Sequence, residues 1–583
     1  MATAAAYAPT GRGSWPVVVV NGVVAVVVLV LVAVLALVVN PPSTPAIAAF
    51  APTATKPISK APPGQSAQSG RGPGACAGGQ VCASASPAPS AGVASASPSR
   101  SGSPKLGGVP SALQCYSWPN GLVTQTFDPQ SPPCIATWDD SAGNGGATSP
   151  GVSKTEIRVA FPQEGSGSTW PALRPLVDYV NTHFQLYGRR ITVVPFHSQQ
   201  ADQEAVGNPN DPSAQRADAA AVTQLKAFAS LDFLDPLPSS STLPVFVDTL
   251  AQHRIISVAG GDNTPYIGVK DLERDAPYAW SYQPTLDRLM TNVGAMTCKQ
   301  LVGKPATHAP DPALRGKTRK FALLLPTDAY LGGTPPGLHE LLAQLDACGV
   351  HDPQVVRWNA DDYAPASLTA SFRQMAVDGV TSVIYLNVGG SGTAGSPLVH
   401  ATDADFRPEW ILIGWNEYMT AYLLNDSSTQ TSGAFGVGVW NKEKQAPLED
   451  WYQAYASTGP QPPNVFNARG FYQELLLLAS GVQMAGPHLT PESFAEGLRT
   501  TAFPNPGAGQ APSYQATVGF ASSPIMVDDL NGFWLDTRTT GAEVTNGAYG
   551  NTYTAFCYAD LGRRWSEDSW PREDAFYASS TCR

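Results

Sequence analysis

The sequence predicts an α/β protein: two doubly wound parallel-sheet lobes joined by a multi-strand hinge, preceded by one transmembrane helix and a disordered linker. Three observations carry this expectation. A strand–helix–strand unit opens at Gly151. The same alternation recurs after Thr285. Residues 1–110 differ in composition from everything that follows.

The elements are taken in chain order. Residues 17–39 form a 23-residue apolar run with one polar side chain, Asn21. That length crosses a bilayer with some tilt. A signal peptide cleaved near Ala46-Ile47-Ala48 is the competing reading. The run exceeds a usual signal core and only Arg12 precedes it, which favours an uncleaved anchor after a 16-residue cytoplasmic N-terminus. No Cys follows closely, which argues against a lipoprotein. Arg12 faces Lys56 and Lys60 across the run, so charge alone does not orient it. Residues 40–110 are rich in Pro, Ser, Ala and Gly and cannot bury enough surface to offset their ordering entropy. As a coil this tether spans roughly 45–50 Å. A basic strip on anionic lipid or cell-wall polymer is the alternative, but its charges are thinly spread.

Six of the 35 Lys/Arg residues and none of the 46 Asp/Glu residues lie in 1–110, so the remainder carries a net charge of −17. An acidic globular part argues against nucleic acid, which needs a cationic face. Residues 111–150 hold Cys115, Trp118, Cys134 and Trp138 and are read as a disulfide-closed cap. The main domain, 151–583, begins with a strand at 155–161, a helix whose apolar positions are Leu173, Leu176, Val177, Val180 and Phe184, and a β-branched strand at 190–196. Such a unit closes a right-handed crossover in a parallel sheet.

The pattern then predicts helix 213–226 after the Asp211-Pro212 start signal, strand 227–231, helix 243–253, and strands 254–258 and 278–282. Helix 285–301 leads to the strongest strand, 320–325 (KFALLL). Helix 338–347, strand 354–358, helix 367–377 and strands 381–386 and 410–413 follow. Helix 468–484 returns to the first lobe. The expected lobes are 151–283 with 438–520, and 284–437 with 521–583.

The eight cysteines fall into sequence neighbours: Cys76 with Cys82, Cys115 with Cys134, Cys298 with Cys348, and Cys557 with Cys582. Eight cysteines allow 105 pairings, so neighbour pairing is a hypothesis. No CxxC or zinc-type spacing occurs. An even count in a tethered chain points to an oxidising exterior, hence a single-pass membrane protein with its bulk outside the cell.

Tyr179-Val180-Asn181 followed by Gly188-Arg189-Arg190-Ile191 resembles the opening of type I periplasmic solute-binding proteins, which include the branched-chain amino-acid (leucine-binding-like) proteins of ABC importers. The family usually places a double glycine where Phe184-Gln185 stands here. Residues 319–325 with Thr327-Asp328-Ala329-Tyr330 resemble the opening of the family's second lobe, although Leu331 stands where the family has glycine. The resemblance covers about 151–583. It implies a small-molecule ligand held between two lobes, an ABC-importer permease as partner, no cofactor and no enzymatic activity.

Candidate ligand residues follow from chemistry and resemblance together. Ser239, Ser240, Ser241 and Thr242 precede a helix, where hydroxyls and free N–H groups hold a carboxylate. The same four residue types grip the ligand carboxylate in the family; an ordinary N-cap is the bland reading. Gly260, Gly261 and Asp262 follow the fourth strand. By resemblance this loop meets ligand, and Asp262 would suit an ammonium or hydroxyls; a plain turn is the alternative. Glu417 stands where a family Glu pairs with the ligand ammonium, or else it is a surface residue at a helix start. Trp415 and Tyr330 would form aromatic walls or core, and Asn387 a polar contact beside Gly389-Gly390.

Catalytic signatures are poor. Residues 339–343 (HELLA) lack the second His of a zinc motif, residues 389–393 (GGSGT) lack the last Gly of a nucleophile elbow, and the glycines of 433–438 (GAFGVG) are wrongly spaced for a dinucleotide loop. Import of an amino acid or related polar solute is therefore the leading function. A tethered ligand sensor and, behind it, an extracellular α/β hydrolase are the alternatives. The hydrolase would need a nucleophile and base that the sequence does not display.

Overall fold

The computed structural model describes residues 115–139, 141, 143–163, 170–205, 211–231, 244–259, 267–328, 333–358, 366–386, 397–414, 428–439, 446–459, 465–508, 518–546 and 551–572. The chain divides into units Met1–Gly102 and Ser103–Arg583, and the described residues all belong to the second. The anchor run, the whole linker, and Cys76, Cys82 and Cys582 lie outside them. Among the described residues no helix is long and apolar enough to cross a membrane.

A small hairpin comes first. β1 (Tyr116–Ser117) and β2 (Val123–Thr124) pair antiparallel, and the Cys115–Cys134 bond closes the segment. The first lobe then runs β3 (Glu156–Gln163), α1 (Trp170–His183), β4 (Arg190–His197), α2 (Gln199–Ala205), α3 (Pro212–Gln224), β5 (Ala229–Leu231), α4 (Pro244–Gln252), β6 (Ile256–Ala259), α5 (Val269–Arg274) and β7 (Ala279–Ser281). Its strands lie in the order β4-β3-β5-β6-β7, all parallel. β3 is buried on both faces from Val159 on, as a central strand between helix layers must be. Asp211 caps α3, accepting the N–H groups of Ser213 at 2.7 Å and Ala214 at 3.1 Å, with Pro212 at the first helical position.

The motif around Asn181 is structural. Its amide nitrogen donates to the Ile191 carbonyl at 2.9 Å, and its amide oxygen accepts the Ile191 N–H at 2.7 Å. The side chain thus imitates a strand neighbour and ties α1 to β4. Gly188 has φ +76°, which the turn before β4 requires. Phe184 and Gln185 are buried, and the Gln185 N–H donates to the Gln483 side chain at 2.9 Å. The departure from the family's double glycine therefore docks a later helix.

The second lobe runs α6 (Leu286–Gln300), β8 (Phe321–Pro326), α7 (Leu338–Ala347), β9 (Gln354–Trp358), α8 (Ala366–Val377), β10 (Ser382–Leu386), α9 (Pro397–Asp403), β11 (Glu409–Gly414), α10 (Ser428–Thr431) and β12 (Phe435–Gly438). The parallel order β9-β8-β10-β11-β12 repeats that of the first lobe. The glycine-rich stretch 433–438 is thus largely a sheet strand. A Cβ on Gly436 would lie 1.9 Å from the Leu412 carbonyl oxygen, so only glycine fits there. The Cys298–Cys348 bond staples α6 to the end of α7.

The chain then returns. α11 (Asp450–Thr458), α12 (Val465–Ala485) and α13 (Pro491–Thr500) complete the first lobe, where Trp451, Tyr455, Phe471, Tyr472 and Leu475 to Leu478 join the core of β3 and α1. The run Leu475 to Ala479 is wholly buried, which suits a helix enclosed on several sides. Ile525 bridges Ser281 beside β7, and Met526 and Val527 belong to the same core. The chain enters the second lobe at 528–529, beyond the 521 expected from sequence, because those three apolar side chains are still buried in the first. β13 (Leu530–Asn546), β14 (Asn551–Tyr558) and β15 (Arg564–Trp565) then add antiparallel strands to the second lobe. Interlobe connections therefore follow β7, follow β12 and precede β13.

Candidate ligand cleft

Parallel strands present ligand sites at their carboxyl ends, where helix N-termini and loops converge. Each sequence-predicted residue follows such an end. Ser239, Ser240, Ser241 and Thr242 lie between β5 and α4; Gly260, Gly261 and Asp262 follow β6; Tyr330 follows β8; Asn387 follows β10; Trp415 and Glu417 follow β11. All eleven lie outside the described residues. The strands that lead to them are neighbours: β5 pairs β6, and β10 lies between β8 and β11.

Contacts between the lobes show which ends face each other. α5 begins beyond the carboxyl end of β6, and its Val269 N–H donates to the Asp287 carboxylate in the first turn of α6, at 3.1 and 3.2 Å. Thr285 donates its hydroxyl to the same carboxylate at 2.5 Å. An acid from the second lobe thus caps a helix of the first, where the helix dipole favours negative charge. Nearby, a Cβ on Gly268 would sit 3.1 Å from Pro336, and Lys270 pairs with Glu340 at 3.5 Å on the surface. α7 begins beyond the carboxyl end of β8. The carboxyl ends of both sheets therefore border one cleft.

A buried polar cluster that the sequence did not announce lies where the cap meets the first lobe. Tyr472 donates its hydroxyl to Asp128 of the cap at 2.9 Å, and the Gln130 N–H donates to that carboxylate at 2.8 Å. Tyr282, at the start of the connection after β7, is 2% exposed. Burial pushes the Tyr282 and Tyr472 phenols well above their ordinary range, and the negative charge of Asp128 pushes the same way. Both phenols stay neutral. At the carboxyl end of β8, Asp328 pairs with Arg357 at 3.1 Å. The indole N–H of Trp358, at the end of β9, is buried without a partner among the described residues. Asp287 had one legible signal, an acid in the first turn after Thr285. Asp128, Tyr282 and Tyr472 had none.

A hollow of about 510 Å³ lies at the opposite, amino ends of β8, β9 and β10. Three of its charged side chains are engaged: Arg319 with Glu409, Lys320 with the Asp378 carbonyl, His351 with Asp346. Among the described residues no group of three or more His, Cys, Asp or Glu could hold a metal ion.

A family model described as periplasmic binding protein matches residues 165–527. No curated protein matches the chain. Similar solved structures include the leucine-, isoleucine-, valine-, threonine- and alanine-binding protein from Brucella ovis in its closed conformation, at 10% identity over 72% of this chain and 98% of that one, with a TM-score of 0.45. A solute-binding protein of an R. palustris ABC transporter in complex with 4-hydroxybenzoate is 11% identical over 72% of this chain and 98% of that one, with a TM-score of 0.43. An ABC transporter substrate-binding protein from Desulfitobacterium hafniense in complex with Leu is 14% identical over 59% of this chain and 88% of that one, with a TM-score of 0.40. The matched region spans both lobes and ends at the last connection between them: the chain belongs to the periplasmic binding protein family, whose members bind substrates for ABC transporters and are not enzymes.

Proposed function

We propose that this protein is an extracellular solute-binding protein, tethered to the membrane by residues 17–39, that captures a small polar ligand and delivers it to an ABC-importer permease. The ligand class is an amino acid or a related compound. One observation carries the reading: the carboxyl ends of two identically ordered parallel sheets border one cleft, and every candidate ligand residue follows one of those ends. In this reading Ser239 to Thr242 receive the ligand carboxylate, Glu417 and Asp262 its ammonium, Tyr330 and Trp415 its flanks, and Asn387 a polar edge. The Cys115–Cys134 and Cys298–Cys348 bonds, and the bonded state of Cys557, support an oxidising exterior.

Thermal unfolding of the full chain against amino acids, short amides, polyamines and sugars tests this. A ligand at about 100 times its Kd stabilises by about 2.7 kcal/mol. The expected result is a raised melting temperature with at least one amino acid, lost in Glu417→Ala. Unchanged affinity in that variant would reject the ammonium role, and silence across the whole panel would reject the ligand class.

A further inference from the structure

Residues 528–572 lie beyond the family match, which ends at 527. Their last part does more than extend a sheet. β15 crosses back over the start of β13, pairing Arg564 with Asn531 and Trp565 with Leu530. Arg564 is 2% exposed, and its guanidinium reaches two interlobe connections at once. Nε donates to the Asp529 carboxylate at 2.8 Å, and one terminal nitrogen donates to the Asp529 carbonyl. The other terminal nitrogen donates to the Val439 carbonyl at 2.7 Å. Asp529 ends the connection before β13, and Val439 begins the one after β12.

The third connection follows β7 and leads into α6. α6, where that connection ends, is gripped by the residues after β15. The Trp570 indole donates to Asn292 at 3.0 Å, Lys299 donates to the Asp568 carbonyl at 2.7 Å, and Gln300 donates to the Pro571 carbonyl at 3.2 Å. Trp565 and Trp570 pack ring on ring at 5.0 Å.

This has a mechanical consequence. Val527 belongs to the first lobe's core and Asp529 is bound by Arg564, so the connection before β13 is anchored to one lobe and then to the other within three residues. We propose that the C-terminal arm 559–572 is a hinge strap, with Arg564 as its positioning residue. It fixes the second-lobe ends of the interlobe connections, confines rotation to a short axis, and so limits how far the cleft opens. Its purpose rests on the ligand-cleft reading above; its geometry does not. Loss of the strap lengthens the flexible part of each connection, and hinges are short segments that absorb φ/ψ change.

The test uses the full chain without ligand. Cysteines introduced at the exposed positions Arg216 on α3 and Ala370 on α8 are spin-labelled without reductant, which spares the native disulfides, and the interlobe distance distribution is measured by electron double resonance. The parent should give one narrow distribution. Arg564→Met should broaden it and shift it to longer distance. Trp570→Phe, which removes only the indole donor, should do so to a smaller degree and serves if Arg564→Met does not fold. A folded variant whose distribution superimposes on the parent's would overturn the strap. Because no ligand is present, broadening with a silent ligand screen would defeat the cleft reading alone, and an unchanged distribution with a positive screen would defeat the strap alone.

Discussion

The lobes share a strand order and a problem but solve the problem differently. Each buries an arginine just before the amino end of a strand: Arg189 before β4, the edge strand of the first sheet, and Arg319 before β8, the first strand of the second. In the second lobe Arg319 meets Glu409, with Nε at 2.7 Å from one carboxylate oxygen and a terminal nitrogen at 3.1 Å from the other. That carboxylate also accepts the Thr307 and His308 N–H groups, each at 2.8 Å, and the Ser382 hydroxyl at 2.7 Å. In the first lobe the partners of Arg189 among the described residues are carbonyls, those of Asn144, Gly146, Ser153 and Pro487. Burial holds that guanidinium's pKa below its ordinary value. One lobe balances the charge with a charge. The other surrounds it with dipoles, and those dipoles come from the segment joining the cap to β3 and from the turn after α12. Arg189 therefore binds the first lobe's outer pieces together, while Arg319 braces strands within one sheet.

Breaking the two sites should expose the difference. Arg319→Met strands the fully buried Glu409 carboxylate and should cost about 3–5 kcal/mol in denaturant unfolding. Adding Glu409→Gln should recover much of that loss, because no uncompensated charge is left. No recovery would mean that the guanidinium's packing, not its charge, matters there. Arg189→Met leaves only neutral carbonyls unpaired, so about 1–3 kcal/mol is expected. Its signature should be local: faster hydrogen exchange in 143–153, with the second lobe unchanged.

The smallest effect sharpens the contrast through pH. His183 ends α1, stacks on Tyr179 and accepts the Gln125 side-chain donor on its backbone carbonyl at 2.8 Å, so it sits where the cap meets the first lobe. Burial pushes its imidazole below the ordinary value of 6.5. The unfolded chain then binds the proton first as pH falls through 6.5, so stability drops below that pH and levels off once the folded imidazole also protonates. The slope cannot exceed about 1.4 kcal/mol per pH unit. Melting curves from pH 7.5 to 5.5 should show the fall, and His183→Gln should flatten it. An equal fall in the variant would place the titrating group elsewhere.

Elements with a strong period were legible in the chain. The 338–347 helix and the 354–358 strand stand where the pattern put them, and the other predicted elements shift by a few residues at their ends. Some elements were missed because their pattern is weak. β12 is four residues with two glycines, and its place as a sheet strand follows from the Leu412 backbone beside it. α13 has a clear capping signal at Thr490-Pro491, with Ser493 completing the reciprocal bonds, yet it follows another helix and so stands outside the strand–helix alternation. For the site, the sequence identified the chain positions beyond strand ends. It could not identify the partners of Asp287 or Arg564, which stand in other elements.

By itself, then, the sequence determined the alternation of strands and helices, the doubling into two lobes, and the turn residues such as Gly188 that their backbones require, because these depend on side-chain period and local φ/ψ. Only the tertiary structure decided which ends of the sheets border the cleft, how each buried arginine is neutralised, and that the C-terminal arm ties the interlobe connections together. Those are long-range pairings, such as Arg564 with Val439 across 125 residues, and no local pattern encodes the partner of a hydrogen bond that distant.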